Sequence, residues 1–419
     1  MMGQMSSIVM GFADTLMVGR YGTNELAAAG FVNNILGLLA IGGMGFSYGL
    51  TPVVGALLGE GKVHSIAGKL KNGIFACSAV GVLLMLLAGL FMLMLPWLGL
   101  PGELLPLIRP YLLMMLLSLL PLMTFNAYKQ FCDGLQDTSV PMWIMLACNA
   151  FNVLANWMLI FGHCGFPEMG LLGAGLATLL SRLLEFLLLA GVFHLTGRYA
   201  LYRRDFPGTC ITGADQRELY RMGCPVALQL GLEAASFSLS AVYVGWLGAT
   251  ALAAHQIMIV VGRLFFMLYY GMAAAVAVRV SYYRGAGETE QTRRVAFAGL
   301  HLCWFIGLCL AIPLLLLRGR LGMLFTHSAD VPALVAMLCV PFLIYQVGDA
   351  LQCVYANALR GMARVKPMVR IAFVAYIVIS LPLGYLFGFV CGWGLTGIWM
   401  AFPFGLTTAG LLYYREFKK

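Results

Sequence analysis

Residues 28–58, AAGFVNNILGLLAIGGMGFSYGLTPVVGALL, form one run that contains no Asp, Glu, Lys or Arg. A helix needs about 20 predominantly apolar residues to cross the hydrocarbon core of a bilayer, so this run is long enough to span a membrane. An ordinary soluble domain carries roughly 25% charged residues. This chain of 419 residues has 10% charged and 61% hydrophobic residues. The sequence therefore predicts a polytopic membrane protein without a large soluble catalytic domain.

Other apolar runs lie on both sides of this one, separated by charged or Gly/Pro-rich breaks. They fall near 2–19, 74–95, 107–130, 140–162, 169–195, 219–245, 252–283, 295–317, 332–358, 367–390 and 394–414. We therefore predict an all-α membrane protein with twelve transmembrane helices. The first run lacks the basic n-region of a signal peptide and contains Asp14, so we expect it to be a retained helix.

The basic residues are distributed unevenly between the predicted loops. Nineteen of the 26 Lys and Arg residues fall in one alternate set of loops and termini, and only four fall in the other. Because basic residues concentrate on the cytoplasmic side of a membrane protein, both termini are predicted to lie in the cytoplasm. Topology therefore accounts for the net charge of +9, and no nucleic-acid partner is expected.

An internal repeat relates the two halves of the chain. Residues 18–61 match residues 244–287 at a constant shift of 226 positions, and 11 of the 44 aligned residues are identical, Val54 and Val280 among them. Six helices per copy is an even number, so both copies enter the membrane from the same side and form a parallel repeat. We expect two pseudo-symmetric six-helix bundles that expose a site between them alternately.

These matches also predict the domain organisation. We expect an N-terminal six-helix lobe over residues 1–196 and a C-terminal six-helix lobe over residues 219–419. The charged segment 197–218, which contains Pro207 and Gly208, is predicted to be a cytoplasmic connecting loop and the hinge between the halves.

Four acidic residues lie well inside predicted spans: Asp14, Glu185, Glu233 and Asp349. A carboxylate at the bilayer centre costs about 2.5–3.5 kcal/mol on the insertion scale, so each requires a reason. Glu185 follows Arg182 by one helical turn, and the two charges can neutralise each other. The other three acids have no basic residue at helical spacing and are the candidates for function.

Asp14 in the first predicted helix has possible partners in the fifth and sixth. Asn152 and Asn156 are four residues apart and share one face of the fifth helix, and Thr178 lies in the sixth. A carboxylate, two amides and a hydroxyl supply oxygen ligands that suit a hard cation such as Na⁺. The alternative is that the amides only form hydrogen bonds between helices, which contribute about 0.6 kcal/mol on average.

The second half offers a separate candidate site. Glu233 in the seventh predicted helix and Asp349 in the tenth can hold a second Na⁺ or a proton. Tyr345, four residues before Asp349, shares its face, and Phe266 in the eighth helix can add a cation–π surface. The residue types leave Na⁺ and H⁺ both open, although a proton has no need of the oxygen cage predicted around Asp14.

Two rival functions are considered on the residues alone. Asp133 and Asp137 have the spacing with which membrane prenyltransferases hold magnesium diphosphate, but only one such motif occurs, so no enzyme is expected. A lipid or oligosaccharide flippase lines its cleft with cationic residues that receive anionic headgroups. Here only Arg263 favours that alternative, whereas the unpaired charges within the spans are acidic.

Several short stretches together resemble one transporter family. They are ADTLMVG at 13–19, GLLGAGLAT at 170–178, GCP at 223–225, AAHQI at 253–257 and RG at 360–361. Their order and spacing are similar to those of the multidrug and toxic compound extrusion (MATE) transporters, in particular the NorM-like branch. The resemblance extends over nearly the whole chain, although the family has about twenty further residues before this start, so we expect a shortened beginning.

The resemblance implies a twelve-helix antiporter of the bacterial cytoplasmic membrane that expels organic cations in exchange for Na⁺ or H⁺. It implies no cofactor, contact with membrane lipids and a monomeric state. In the family, the first cation site maps onto Asp14, Asn152, Asn156 and Thr178. The second maps onto Glu233, Tyr345 and Asp349, with Phe266 as the aromatic neighbour predicted above.

Overall fold

The structure is a computed structural model that describes residues 2–98, 103–324 and 330–419. Within these ranges the chain is nearly all helical and has no β-strand. Its twelve long helices are α1 Met2–Tyr21, α2 Thr23–Gly59, α3 Val63–Trp97, α4 Leu105–Gly134, α5 Ser139–Phe161, α6 Gly170–Leu195, α7 Gly213–Trp246, α8 Ala249–Gly285, α9 Thr289–Leu321, α10 Asp330–Gly361, α11 Lys366–Val390 and α12 Gly394–Lys418. A short helix, Ala200–Asp205, lies between α6 and α7.

The helices confirm the predicted fold class. Over the described ranges, the eleven helices α2 to α12 are long and apolar enough to cross a membrane, and α1, with 20 residues, takes the place of the first predicted span. Several helices exceed their apolar runs. Helix α3 begins at Val63, eleven positions before the predicted start, because Lys69 and Lys71 are helical and have acidic or carbonyl partners.

The chain divides into two compact units, Met2–Ala227 and Leu228–Lys419, called here the first and second lobes. The five helices that follow the first helix of each lobe have the same pattern of packing in both lobes. In the first lobe, α2 packs on α3 and α4, α3 on α4, α4 on α6, and α5 on α6. In the second, α8 packs on α9 and α10, α9 on α10, α10 on α12, and α11 on α12. The domain bounds at 196 and 219 stay a prediction.

Glycines at equivalent positions allow the same close approach in both lobes. A Cβ atom added to Gly134 of α4 would lie 2.7 Å from Val54 and 3.1 Å from the carbonyl oxygen of Thr51. A Cβ atom added to Gly361 of α10 would lie 3.0 Å from Val280 and 2.6 Å from the carbonyl oxygen of Ala277. Small residues let membrane helices approach closely, so the repeat has kept these backbone contacts.

The connecting segment is attached to the first lobe along most of its length. Its contacts with α3 are those of Asp205 with His64 (2.7 Å), of the Thr209 carbonyl with Lys71 (2.7 Å), of the Thr212 amide with Asn72 (3.1 Å), and of Asp215 and Glu218 with Lys69 (2.5 Å each). Residues 205–218 therefore lie against the first lobe, and the hinge over 197–218 stays a prediction. Charged residues on α3 and in the segment pair with one another and hold it in place.

Candidate functional site

Asp14 lies on α1 opposite the asparagine face of α5. The Asn156 amide nitrogen donates to the Asp14 carboxylate (Nδ2 to Oδ1, 2.5 Å) and also to Asn152 (Nδ2 to Oδ1, 3.1 Å). Both asparagines are fully buried, whereas Asp14 is half-buried. The structure thus brings together three of the four residues predicted for the first site.

The carboxylate fixes the orientation of these amides. An ionised carboxylate only accepts hydrogen bonds, so Asn156 must turn its NH₂ group toward Asp14 and its oxygen away. That oxygen, Asn156 Oδ1, is buried and has no hydrogen-bond partner within the described part of the chain. Burying a polar atom without a partner costs free energy, so a cation or a water molecule at this oxygen would stabilise the arrangement.

Thr178 lies on α6, buried, and its hydroxyl donates to the carbonyl of Ala174 in its own helix (3.0 Å). This bond leaves the lone pairs of the hydroxyl oxygen able to accept a donor or a cation. The Arg182 guanidinium, one turn further along α6, donates to Ser118 Oγ of α4 (2.6 Å). The charge of Arg182 acts electrostatically on both Glu185 and Asp14, so one arginine stabilises the ionised forms of two acids.

The second lobe holds its two acids around one amide. The Gln352 side-chain nitrogen donates to Glu233 (Nε2 to Oε1, 3.1 Å) and to Asp349 (Nε2 to Oδ1, 3.2 Å). Glu233 is 9% exposed and Asp349 is 1% exposed, so both carboxylates are removed from solvent. Asp349 Oδ2 has no hydrogen-bond partner among the described residues. The second lobe therefore brings two carboxylates together, one of which has an oxygen without a hydrogen-bond donor among the described residues.

Further polar groups extend this site. The Tyr376 hydroxyl donates to Gln352 Oε1 (2.7 Å), which fixes the amide with its nitrogen toward the acids. Tyr376 lies in a π-helical stretch of α11, Phe373–Ser380, and such turns are frequent at functional sites. On the other side, Gln229 donates to Glu233 (Nε2 to Oε2, 3.0 Å) and accepts from Arg360 (3.5 Å).

Arg360 corrects one part of the sequence analysis. Arg360 is one of the nineteen basic residues that the sequence assigns to the cytoplasmic loops and termini. In the structure it lies in the last turn of α10 and is 4% exposed. A long apolar helix continues through this position, and neighbouring polar groups receive the guanidinium. Arg360 therefore belongs to the interior of the second lobe.

The two aromatic residues predicted for the second site have different surroundings. Tyr345 is buried in an aromatic cluster and touches Phe342, Trp399 and Phe402, with ring centroids 5.8, 6.4 and 6.2 Å away. Phe266 is half-buried, and the contact that the structure gives it is a stack on Tyr270 (5.4 Å).

Sequence reasoning missed the residues that join the two acids: Gln229, Gln352, Arg360 and Tyr376. A signal for two of them was present. Gln229 precedes Glu233 by four residues and Gln352 follows Asp349 by three, so each lies on the same helix face as its acid. Nothing in the spacing identifies Tyr376, because its role depends on how α11 packs against α10.

The apparent magnesium motif is already occupied by side chains of the protein. Asp133 pairs with Lys129 (2.8 Å), and Asp137 accepts from Arg198 (2.6 Å) and Tyr199 (2.8 Å). Burial alone would raise the pKa of Asp137, but these hydrogen bonds outweigh it and hold the pKa below the ordinary value of 3.8. Both carboxylates thus serve structural ion pairs, which agrees with the expectation that the motif holds no magnesium diphosphate.

Comparison with known proteins gives consistent results. The MatE family model matches residues 1–158 and 225–386. Multidrug resistance protein NorM of Aliivibrio fischeri is 30% identical over 414 residues, which cover 96% of this chain and 88% of NorM.

Two solved structures share the fold at lower identity. The Vibrio cholerae MATE transporter VcmN in its bent form matches with a TM-score of 0.86 and 19% identity, covering 100% of this chain and 94% of VcmN. A MOP superfamily transporter from Pyrococcus furiosus, described with a binding pocket of reverse polarity that suggests a different function, matches with a TM-score of 0.89 and 18% identity, covering 100% and 92%.

Proposed function

The chain belongs to the MatE family of multidrug efflux transporters, and from this premise we propose that it exports organic cations in exchange for Na⁺ or H⁺. It is a transporter and not an enzyme. The exchange requires a site that binds a small cation in one state and releases it in another. The candidates are Asp14 in the first lobe and the pair of Glu233 and Asp349 in the second.

The observation that carries the proposal is the arrangement around Asp14. A half-buried carboxylate accepts from the Asn156 amide at 2.5 Å, and the Asn156 oxygen, which is turned away from Asp14, is buried without a partner among the described residues. Carboxylate, amide and hydroxyl oxygens are the ligands that hard cations prefer, and Thr178 can supply the hydroxyl. We propose that Asp14, Asn152, Asn156 and Thr178 hold the coupling cation in the first lobe.

We assign a second cation site to Glu233 and Asp349, with Tyr345 in the surrounding aromatic wall. Asp349 Oδ2 is the acceptor that a cation would occupy, because the other carboxylate oxygens have amide donors. Phe266, stacked on Tyr270, would contribute a ring face if it turned toward the bound cation. Amide and hydroxyl ligands favour Na⁺ over H⁺ at the first site, since a proton needs only one carboxylate.

Reconstitution into proteoliposomes tests the coupling ion. We expect a sodium gradient alone, inside and outside held at one pH, to drive transport of a lipophilic cationic dye such as ethidium. A proton gradient alone, in sodium-free buffer, is the parallel measurement. Transport under neither gradient would contradict an antiporter, and transport under the proton gradient alone would contradict sodium coupling.

A lipid or oligosaccharide flippase of the same superfamily is the second candidate. The observation that favours it is Arg263, which is exposed on α8 and could receive an anionic headgroup. Scrambling of a fluorescent anionic lipid in the same proteoliposomes separates the two functions. We expect scrambling at the rate of protein-free vesicles, and an Arg263-dependent increase would support the flippase instead.

We further propose that the chain is a monomer in the bacterial cytoplasmic membrane with both termini in the cytoplasm. Exposed cysteines allow a test of the orientation, since Cys164 and Cys391 lie in loops on one predicted side and Cys210 on the other. In single-cysteine variants, an impermeant thiol reagent applied to intact cells should label Cys164 and Cys391 but not Cys210. The reverse pattern would overturn the proposed orientation.

A further inference from the structure

A chain of hydrogen bonds links a buried arginine, Arg360, to the acids of the second lobe. The Arg360 guanidinium donates to Asn357 (3.1 Å), to the Tyr270 hydroxyl (3.2 Å) and to Gln229 (3.5 Å). Through the Gln229 amide it reaches Glu233, on which its charge acts directly as well. Arginine keeps its charge in proteins at any ordinary pH, so this is a permanent positive charge inside the lobe.

The three charged groups form one hydrogen-bonded unit. Gln229 joins Arg360 to Glu233, and Gln352 joins Glu233 to Asp349, so two neutral amides separate one cation from two anions. The other titratable side chains near the acids are tyrosines and cysteines, which are uncharged in their ordinary protonated forms. They are Tyr269, Cys303, Tyr345, Cys353, Tyr376 and Tyr413.

Adding these charges gives the unit a formal charge of −1 when both acids are ionised. Unbalanced charges in a low-dielectric interior cost free energy. One added monovalent cation makes the unit neutral, whereas two would give it a net charge of +1. Without the arginine, the same two carboxylates would carry −2. The arginine therefore decides how many cations the acids can hold.

We propose that Arg360 is an internal counter-charge that limits the Glu233–Asp349 site to one monovalent cation, bound at Asp349, and keeps that cation weakly enough held to be released in each cycle. The inference rests on the proposed function, because it presumes that these acids bind the coupling ion. Arg360 itself does not touch the cation. It is a positioning and charge-setting residue that acts through Gln229.

The alternative is that Arg360 only packs the end of α10, where a basic residue also interacts favourably with the helix dipole. The two explanations differ in what a compensating substitution does. A structural arginine cannot be replaced by removing a negative charge elsewhere, whereas a counter-charge can.

Equilibrium binding of ²²Na⁺ to the purified full-length protein tests the proposal, with Asp14→Asn in every sample to remove the first site. We expect the parent to bind one Na⁺ that is lost on Asp349→Asn. Glu233→Gln leaves the unit neutral and should weaken Na⁺ binding at least about tenfold. Glu233→Gln with Arg360→Gln restores −1 and should recover binding to within about threefold of the parent.

Arg360→Gln alone should lower the half-saturating Na⁺ concentration at least about tenfold or raise the count to two, while Arg360→Lys should leave both unchanged. Failure of the double variant to recover binding, or equal binding by Arg360→Gln and Arg360→Lys, would overturn the proposal. Absence of Asp349-dependent Na⁺ binding in the parent would also overturn it. The proposed antiport function is tested separately, by whether the proteoliposomes exchange dye for an ion.

Discussion

The first lobe has Asp14 where the shift of 226 places Ser240 in the second. With Gly134 aligned on Gly361, a shift of 227, the second lobe has Asp349 where the first has Leu122. Ser240 donates to a carbonyl of its own helix (2.9 Å) and contacts no acid through that bond. The helix packing is shared, but the acids lie on α1 in one lobe and on α7 and α10 in the other. Duplication has thus preserved a backbone framework while each copy acquired its own polar site.

The two sites also differ in access and in charge. Asp14 is half-buried and is the single carboxylate of its site, with Arg182 acting on it electrostatically, whereas Glu233 and Asp349 are almost fully buried and form a pair linked to Arg360. A carboxylate nearer to solvent exchanges its ion more readily than one surrounded by protein. We therefore expect the first lobe to respond more strongly than the second to the loss of one acid.

Asp14→Asn should have the largest effect. The substitution keeps the shape of the side chain but removes the only carboxylate of the first site, so dye efflux should fall at least about tenfold with expression unchanged. Efflux from cells that express the variant is the measurement. The matched control is Glu290→Gln, which removes a 67% exposed carboxylate on α9 and should leave efflux intact. Retained efflux in the Asp14 variant would exclude this residue from the mechanism.

The close contacts of the repeat predict a stability effect shared by both lobes. Gly361→Ala places a Cβ atom 2.6 Å from the Ala277 carbonyl, and Gly134→Ala places one 2.7 Å from Val54. Overpacking of this kind costs about 1–3 kcal/mol, with the larger loss expected at Gly361, where the obstacle is backbone. The Tm in detergent should fall for both variants but not for Gly191→Ala, which has open space at its Cβ position. A loss in one lobe alone would break the structural equivalence.

Tyr376→Phe should have a smaller effect, confined to the second lobe. The variant loses the hydroxyl that orients Gln352, and interhelical hydrogen bonds in membranes contribute about 0.6 kcal/mol, equivalent to about threefold in affinity. Na⁺ binding in the Asp14→Asn background should weaken by about that factor. Tyr128→Phe, whose hydroxyl contacts His194 in the first lobe (3.2 Å), is the control and should not change binding. An unchanged Tyr376 variant would show that the Gln352 amide is held by the acids alone.

Arg198→Ala should have the smallest effect, and it should depend on pH. Arg198 holds the pKa of the Asp137 carboxyl below its ordinary value of 3.8. Such a carboxyl contributes stability above its ordinary pKa and loses that contribution as pH falls through the pKa of the folded protein. The Tm of the variant should therefore be below that of the parent at pH 7, and the difference should shrink toward pH 3. Arg294→Ala, another exposed arginine, serves as the control. A Tm difference that persists at pH 3 would show that Arg198 acts through packing.

The sequence predicted the helices well because charges are rare and interrupt the apolar runs. The predicted start of α3 is too late, because the apolar run begins only after Lys69 and Lys71. Charged residues can extend a helix beyond its apolar region when they have polar partners. The acids were found because a carboxylate within a span is costly and conspicuous. Gln352, Gln229 and Tyr376 were missed because amides and hydroxyls are common in such spans, and their pairing depends on the rotation of packed helices. Arg360 was misassigned because a basic residue near a helix end usually faces water.

The attachment of the connecting segment to α3 has a mechanical consequence. The contact of His64 with Asp205 and the ion pairs of Lys69 hold both ends of residues 205–218 against the same lobe. The chain passes into the second lobe only within α7, between Ala227 and Leu228. After a protease cut near Pro207, both cut ends would therefore stay bound to the first lobe. Any tension that one lobe transmits to the other through the covalent chain must travel along the helix that follows.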